Sequence, residues 1–260
     1  MRLMDGPAKA GPYVLASALA LLFAVATAYA QDKIPVRAPG IHDEVLPLRD
    51  GPKIHYAISV PPGYHGAPVP LILALHFGGD PQGAGHAMLQ ILIQPALGEL
   101  GALIVAPDSL SGGWDSAANE QGVNALLAAV EKSYAIDPKK EIVTGFSMGG
   151  RGTWYWADKY PDRFSAAIPV SGTPMPSAAA WRLPVFAVHS RDDRVQPIGP
   201  TERRIAELKT RGINAQIVVL NGIEHFETYK FVGGLRQAVP WVKEIWNKRF
   251  AQATGTGDSR

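Results

Sequence analysis

Glu141-Ile142-Val143-Thr144-Gly145-Phe146-Ser147-Met148-Gly149-Gly150 is the stretch on which the fold turns. It opens with a short apolar run suited to a strand buried on both faces. It then passes through Gly-x-Ser-x-Gly into Gly149 to Tyr160, a segment of helix length. A strand-to-helix turn this sharp forces the serine into a strained backbone conformation, and small residues two positions before and after it let neighbouring chain pass close by. The expected result is an exposed Ser147 Oγ beside a helix N-terminus. In a chain with 27 glycines the pattern alone is weak evidence. The strand before it and the helix after it give it weight.

Working outward, the same alternation repeats. Val45 to Leu48 and Ile54 to Val60 flank Asp50-Gly51, a hairpin signal, and apolar runs recur at Pro70 to His76, Ala102 to Ala106, Ala166 to Val170, Pro184 to His189 and Ala215 to Leu220. Helix-length segments lie between them, near Ala84 to Leu100, Asn119 to Ser133, Thr201 to Arg211 and Phe231 to Arg249. Strands and helices taking turns predict an α/β fold with a mostly parallel sheet and helices on both faces. No internal repeat or second domain is visible, so one catalytic-sized domain is expected over residues 31–250, with a polar tail from Ala251 to Arg260.

Composition narrows the partners. The chain is 47% hydrophobic and 18% charged, with a formal net charge of +2 spread along its length. It lacks the clustered Lys and Arg that a nucleic acid or anionic membrane surface requires, so neither is expected as a partner. Cysteine is absent, which removes disulfides and thiolate metal sites. The first thirty residues read as a signal peptide. Arg2 and Lys9 precede an uncharged stretch from Tyr13 to Ala30, and Ala28-Tyr29-Ala30 ends it with small residues at the two positions a signal peptidase inspects. Cleavage after Ala30, a secreted or periplasmic location and no stable membrane insertion after cleavage are the expectations.

A serine hydroxyl is a poor nucleophile at neutral pH, so a base must take its proton and a carboxylate must hold that base in the right tautomer. Beyond the strand Pro184 to His189 lie Asp192 and Asp193, and beyond Ala215 to Leu220 lies His225. All three groups therefore sit past the carboxyl ends of strands, where open α/β sheets bind ligands.

The segment Val143 to Trp154, followed by Tyr160-Pro161-Asp162-Arg163-Phe164-Ser165-Ala166-Ala167, resembles small secreted esterases of the α/β-hydrolase superfamily. Feruloyl and acetylxylan esterases, polyhydroxyalkanoate depolymerases and the phospholipase/carboxylesterase group are among them. Pro61-Pro62-Gly63-Tyr64 and Leu73-Ala74-Leu75-His76-Phe77-Gly78-Gly79 look like theirs too. The resemblance implies the α/β-hydrolase fold, with its chain order of Ser, Asp and His. It also implies an ester, small or polymer-borne, as substrate. The family's acid loop, His-Gly-x-x-Asp-x-Val-x-Pro, laid on His189 puts the acid at Asp193 and leaves Asp192 as the alternative. Met148 should donate one oxyanion-hole N–H and the loop after Pro70 to His76 the other, from Gly78 or Phe77. The usual glycines after the two loop histidines are Phe77 and Ser190 here.

Other residues carry less. Trp114 follows a strand end and could line the substrate pocket or pack in the interior. Trp154, Trp156 and Arg151 read as core or helix surface. The histidines show no metal-binding spacing and Gly83-Ala84-Gly85 lacks the rest of a dinucleotide fingerprint, so no metal and no cofactor are expected. Only Gly172 to Leu183 separates two predicted strands where many lipases insert a lid, so no lid and an open pocket are expected. Two rival readings share these features: a prolyl-peptidase-like serine peptidase, and a binding protein on a hydrolase fold without activity.

Overall fold

In the computed structural model, residues 33–49, 52–175 and 181–254 are described. The expected signal peptide therefore lies outside the described residues, as do Asp50 and Gly51 of the expected hairpin turn.

Among the described residues, eight strands form one sheet: β1 (Gly40–Pro47), β2 (Lys53–Val60), β3 (Val69–Leu75), β4 (Leu103–Pro107), β5 (Ile136–Phe146), β6 (Ala166–Val170), β7 (Val185–Ser190) and β8 (Ala215–Leu220). Their order in the sheet is β1-β2-β4-β3-β5-β6-β7-β8. β1 pairs with β2 and β2 with β4 antiparallel, and every other pairing is parallel. This is the α/β-hydrolase arrangement expected from the sequence.

Burial on both faces explains the unbroken apolar runs. Leu71, Leu73 and Leu75 of β3 belong to one core cluster, whereas Ile72 and Ala74 between them belong to another on the opposite face. The first core is covered by α3 (Ala117–Ser133), α4 (Met148–Lys159) and α5 (Gly199–Thr210). The second is covered by the segment running from α1 (Ala84–Met88) through α2 (Gln94–Leu97), and by α6 (Val232–Arg236) and α7 (Ala238–Thr254).

Two helical segments depart from expectation. The segment from Ala84 to Leu100 is not one helix: a π-helical turn, Leu89–Ile93, separates α1 from α2, and a 3-10 turn, Gly98–Leu100, ends it. The last segment breaks between Arg236 and Ala238. α7 then runs to Thr254, four residues into the stretch expected to be a tail. β6 and β7 are connected by residues 171–184, and among those of them described, 171–175 and 181–184, no helix or strand intervenes.

Candidate active site

The carboxyl ends of β3, β5, β7 and β8 place the candidate residues at one end of the sheet. Ser147 lies between β5 and α4 with φ 57° and ψ −113°. That backbone is strained for a residue bearing a Cβ. Its N–H donates to Val170 O at 3.0 Å, tying the elbow to β6.

The glycines around Ser147 are set by space. A Cβ on Gly149 would lie 1.8 Å from Leu75 O, and one on Gly145 2.5 Å from Gly149 O. Across the turn, a Cβ on Gly150 would meet Val170 O at 2.5 Å. Helix α4 can therefore start directly against the ends of β3 and β6 only because these positions lack side chains.

Ser147 Oγ lies 2.8 Å from His225 Nε2, and His225 Nδ1 lies 2.7 Å from Asp193 Oδ2. An ionised carboxylate only accepts, so Nδ1 carries the proton and Nε2 is left to accept from the Ser147 hydroxyl. Asp193 is buried and its other oxygen accepts from the N–H groups of Val195 at 3.0 Å and Gln196 at 2.7 Å. Burial alone would push the Asp193 carboxyl up, but the His225 ring N–H and the Gln196 N–H hold it below its ordinary value. The ring of Phe146, centred 5.2 Å from that of His225, packs against the imidazole.

Neighbouring residues fix the two loops to each other. Ser190 donates its hydroxyl to Ile223 O at 2.6 Å, joining the acid loop to the histidine loop. Asp192 accepts from the Gly222 N–H at 2.6 Å instead of approaching His225, which separates the two adjacent carboxylates. Gln196 was not anticipated from sequence. Besides donating to Asp193 it accepts from Thr173 Oγ1 at 2.6 Å, and its carbonyl accepts from His189 Nε2 at 2.7 Å. Ser171, at the end of β6, has φ 43° and a buried hydroxyl that makes no hydrogen bond of normal geometry, although it lies near enough to favour the charged Asp193.

The loop after β3 is held through His76. Its Nε2 accepts from Ser109 N–H at 2.9 Å, so Nδ1 carries the proton and donates to Phe77 O at 2.5 Å. Burial keeps the His76 pKa below its ordinary value, as a neutral ring requires. Phe77 and Gly78 follow, and both line a cavity of about 510 Å³ together with Ile91, Phe146, Ser147, Val195, His225, Phe226, Thr228 and Tyr229. Met148 is the first residue of α4, where a backbone N–H has no intrahelical acceptor.

Of the two roles open to Trp114, lining the pocket or packing in the interior, its surroundings match packing. It is buried, off the lining of that cavity, with its indole N–H donating to His76 O at 2.9 Å, and a Cβ on Gly152 would lie 2.6 Å from its Cβ and 2.8 Å from its ring Cγ. An indole this large needs a buried acceptor and a glycine-sized space, and both lie beneath the site. Trp156 donates in turn to Trp114 O at 3.0 Å, and Trp154 to Gly172 O at 3.0 Å, so both belong to the core. Arg151 is exposed, with its guanidinium 3.6 Å from Met175 Sδ. Among the described residues no group of three or more His, Cys, Asp or Glu is arranged to hold a metal ion, and no helix is long and apolar enough to cross a membrane.

The sheet order and the strand-to-helix elbow define a chain with the α/β-hydrolase fold. The family described as "Putative esterase" matches residues 111–217, a span that holds Ser147 and Asp193 and stops short of His225. The "Probable feruloyl esterase C" of Aspergillus terreus is 28% identical over 151 residues, covering 55% of this chain and 56% of that protein. A bifunctional acetylxylan esterase/xylanase of Neocallimastix patriciarum is 30% identical over 132 residues, or 48% of this chain and 19% of that protein. The chain thus spans about half of the first relative and a fifth of the second. Among solved structures, a thermostable esterase superposes with a TM-score of 0.68 at 20% identity, over 78% of this chain and 62% of that one. A ferulic acid esterase superposes with a TM-score of 0.64 at 19% identity, over 80% of this chain and 99% of that one. At these identities the superpositions establish the fold.

Proposed function

We propose that the chain is a serine esterase that hydrolyses carboxylic esters through an acyl-enzyme intermediate, with Ser147 as nucleophile, His225 as general base and Asp193 as the acid that orients it. The observation that carries this reading is the unbroken relay from Ser147 Oγ through both nitrogens of His225 to Asp193, at 2.8 and 2.7 Å.

His225 Nε2 takes the hydroxyl proton as Ser147 Oγ attacks the ester carbonyl carbon. The carbonyl π electrons move to oxygen, and the Met148 N–H, with Gly78 or Phe77 supplying a second donor, stabilises that oxyanion. Collapse breaks the bond to the alcohol oxygen, which leaves with the proton from His225. Water then repeats the sequence on the acyl-enzyme and releases the acid. The charged Asp193 stabilises the imidazolium in both halves.

The peptidase reading shares this relay and the run Gly145 to Gly152, whose glycines pack closely against Leu75, Val170 and Trp114 in either case, so turnover of substrates has to separate the two. Turnover of a panel of p-nitrophenyl esters and aminoacyl amides by the purified protein tests the proposal. Ester hydrolysis with amides inert supports it. Amide turnover at comparable kcat/KM favours the peptidase, and inertness towards both favours a binding protein. Export with cleavage after Ala30 belongs to the same proposal, and N-terminal sequencing of protein recovered outside the cytoplasm tests it.

A further inference from the structure

The exposed large hydrophobic residues among those described are Val36, Val45, Ile91, Val195, Phe226 and Tyr229, and the last four all line the cavity at Ser147. Single exposed apolar side chains need no explanation, but their collection around one nucleophile does. Phe226 is 84% exposed and Tyr229 62%.

Two irregular turns hold two members of this collar, Ile91 and Tyr229. The π-helical turn Leu89–Ile93 buries Leu89, Leu92 and Ile93 and turns Ile91 outward. The 3-10 turn Thr228–Phe231, which contacts it, buries Phe231 and turns Tyr229 outward. Phe226 follows His225 directly and meets its ring edge-on at 5.4 Å. Pro95 lacks an N–H and its ring clashes with the carbonyl four residues back, so a regular helix cannot run from Ala84 to Leu100, and the chain widens just before it, where it borders the site.

We propose that this cavity takes a neutral, apolar part of the ester and that Ile91, Phe226 and Tyr229 set the preference for it; the proposal rests on the esterase reading above. The lining contains no Asp, Glu, Lys or Arg, and its polar side chains are those of Ser147, His225, Thr228 and Tyr229. A charged substituent entering it loses hydration and meets no opposite charge. An apolar cavity of about 150 Å³ accommodates a benzene ring. At about 510 Å³ this one leaves most of its apolar wall unused when the ester carries only small groups on both sides.

The test measures kcat/KM along two ladders. One lengthens the acyl group of p-nitrophenyl esters from acetate to octanoate and 3-phenylpropanoate. The other lengthens the alcohol of acetate esters from ethyl to octyl and 2-phenylethyl. The proposal expects a rise of about tenfold or more along one ladder or the other. It also expects a comparable loss when the far end of the preferred chain becomes a carboxylate. Ile91→Ser, Phe226→Ser and Tyr229→Ser should each lower the large-to-small ratio several-fold, whereas Val36→Ser, away from the cavity, should leave it unchanged. Flat ladders with turnover that depends on Ser147 overturn this proposal alone. So does a preference that survives in all three variants, or a carboxylate-tipped ester turned over as well as its alkyl counterpart. Absence of any turnover that depends on Ser147 overturns the esterase reading and this proposal with it.

Discussion

Gly149 stands against the carbonyl of Leu75 so closely that a Cβ on it would lie 1.8 Å from the oxygen. This contact joins the first turn of the helix after the nucleophile to the end of the strand before Phe77 and Gly78, so it sets the spacing of two parts of the candidate oxyanion site. Gly149→Ala should therefore cost about 3 kcal/mol or more, the upper end of the usual overpacking penalty. Thermal denaturation checks this. Gly63→Ala, where nothing lies within 4 Å of the added carbon, should stay within about 0.5 kcal/mol of the parent.

The adjacent carboxylates Asp192 and Asp193 should separate by activity. Asp193→Asn replaces an acceptor to His225 with a group that can present N–H, favouring the wrong imidazole tautomer, and kcat should fall by about 10⁴-fold. Asp192→Asn weakens a bond to the Gly222 N–H and should cost only a few-fold. Steady-state kinetics of the two variants decides, and equal losses would contradict the assignment.

Glu141, in the middle of β5, yields a pH prediction. Burial pushes its carboxyl up to about 7, although Arg163 Nε at 3.2 Å pulls it down. Between about pH 4.5 and 7 the folded chain keeps a proton there that the unfolded chain has released. The stability this group contributes is therefore full below about pH 4.5 and is lost as pH rises through about 7. Glu141→Gln should remove that dependence and raise stability at pH 8 by on the order of 3 kcal/mol. Arg163 keeps an acidic partner in Glu131. Melting temperatures of parent and variant from pH 5 to 8 test it, and parallel curves would contradict it.

Where apolar runs were short and unbroken, sequence and structure coincide. β6 and β8 have the expected bounds, and β7 is displaced by one residue. β5 starts five residues early because Ile136 pairs with Val69 across an irregularity in register, and the intervening Asp137, Pro138, Lys139 and Lys140 carry no apolar signal. Ser147 and His225 were legible because each follows a strand, whereas the choice of Asp193 over Asp192 rested on the resemblance of the acid loop. Trp114 stayed open between pocket and interior because neither the His76 carbonyl nor the space at Gly152 can be seen from its own loop. The collar was illegible for a related reason. Ile91, Val195, Phe226 and Tyr229 lie in separate polar or helix-length segments, and only the folded sheet end brings them together.

The nucleophile is the central claim, and active-site labelling tests it most directly. An organophosphonate that mimics the tetrahedral intermediate should modify the protein stoichiometrically, with mass spectrometry placing the adduct on Ser147. Ser147→Ala should take up no label and lose ester hydrolysis by on the order of 10⁴-fold while keeping the circular-dichroism spectrum of the parent. An adduct on another residue, or a Ser147→Ala protein retaining a tenth of the parent activity, would contradict the account.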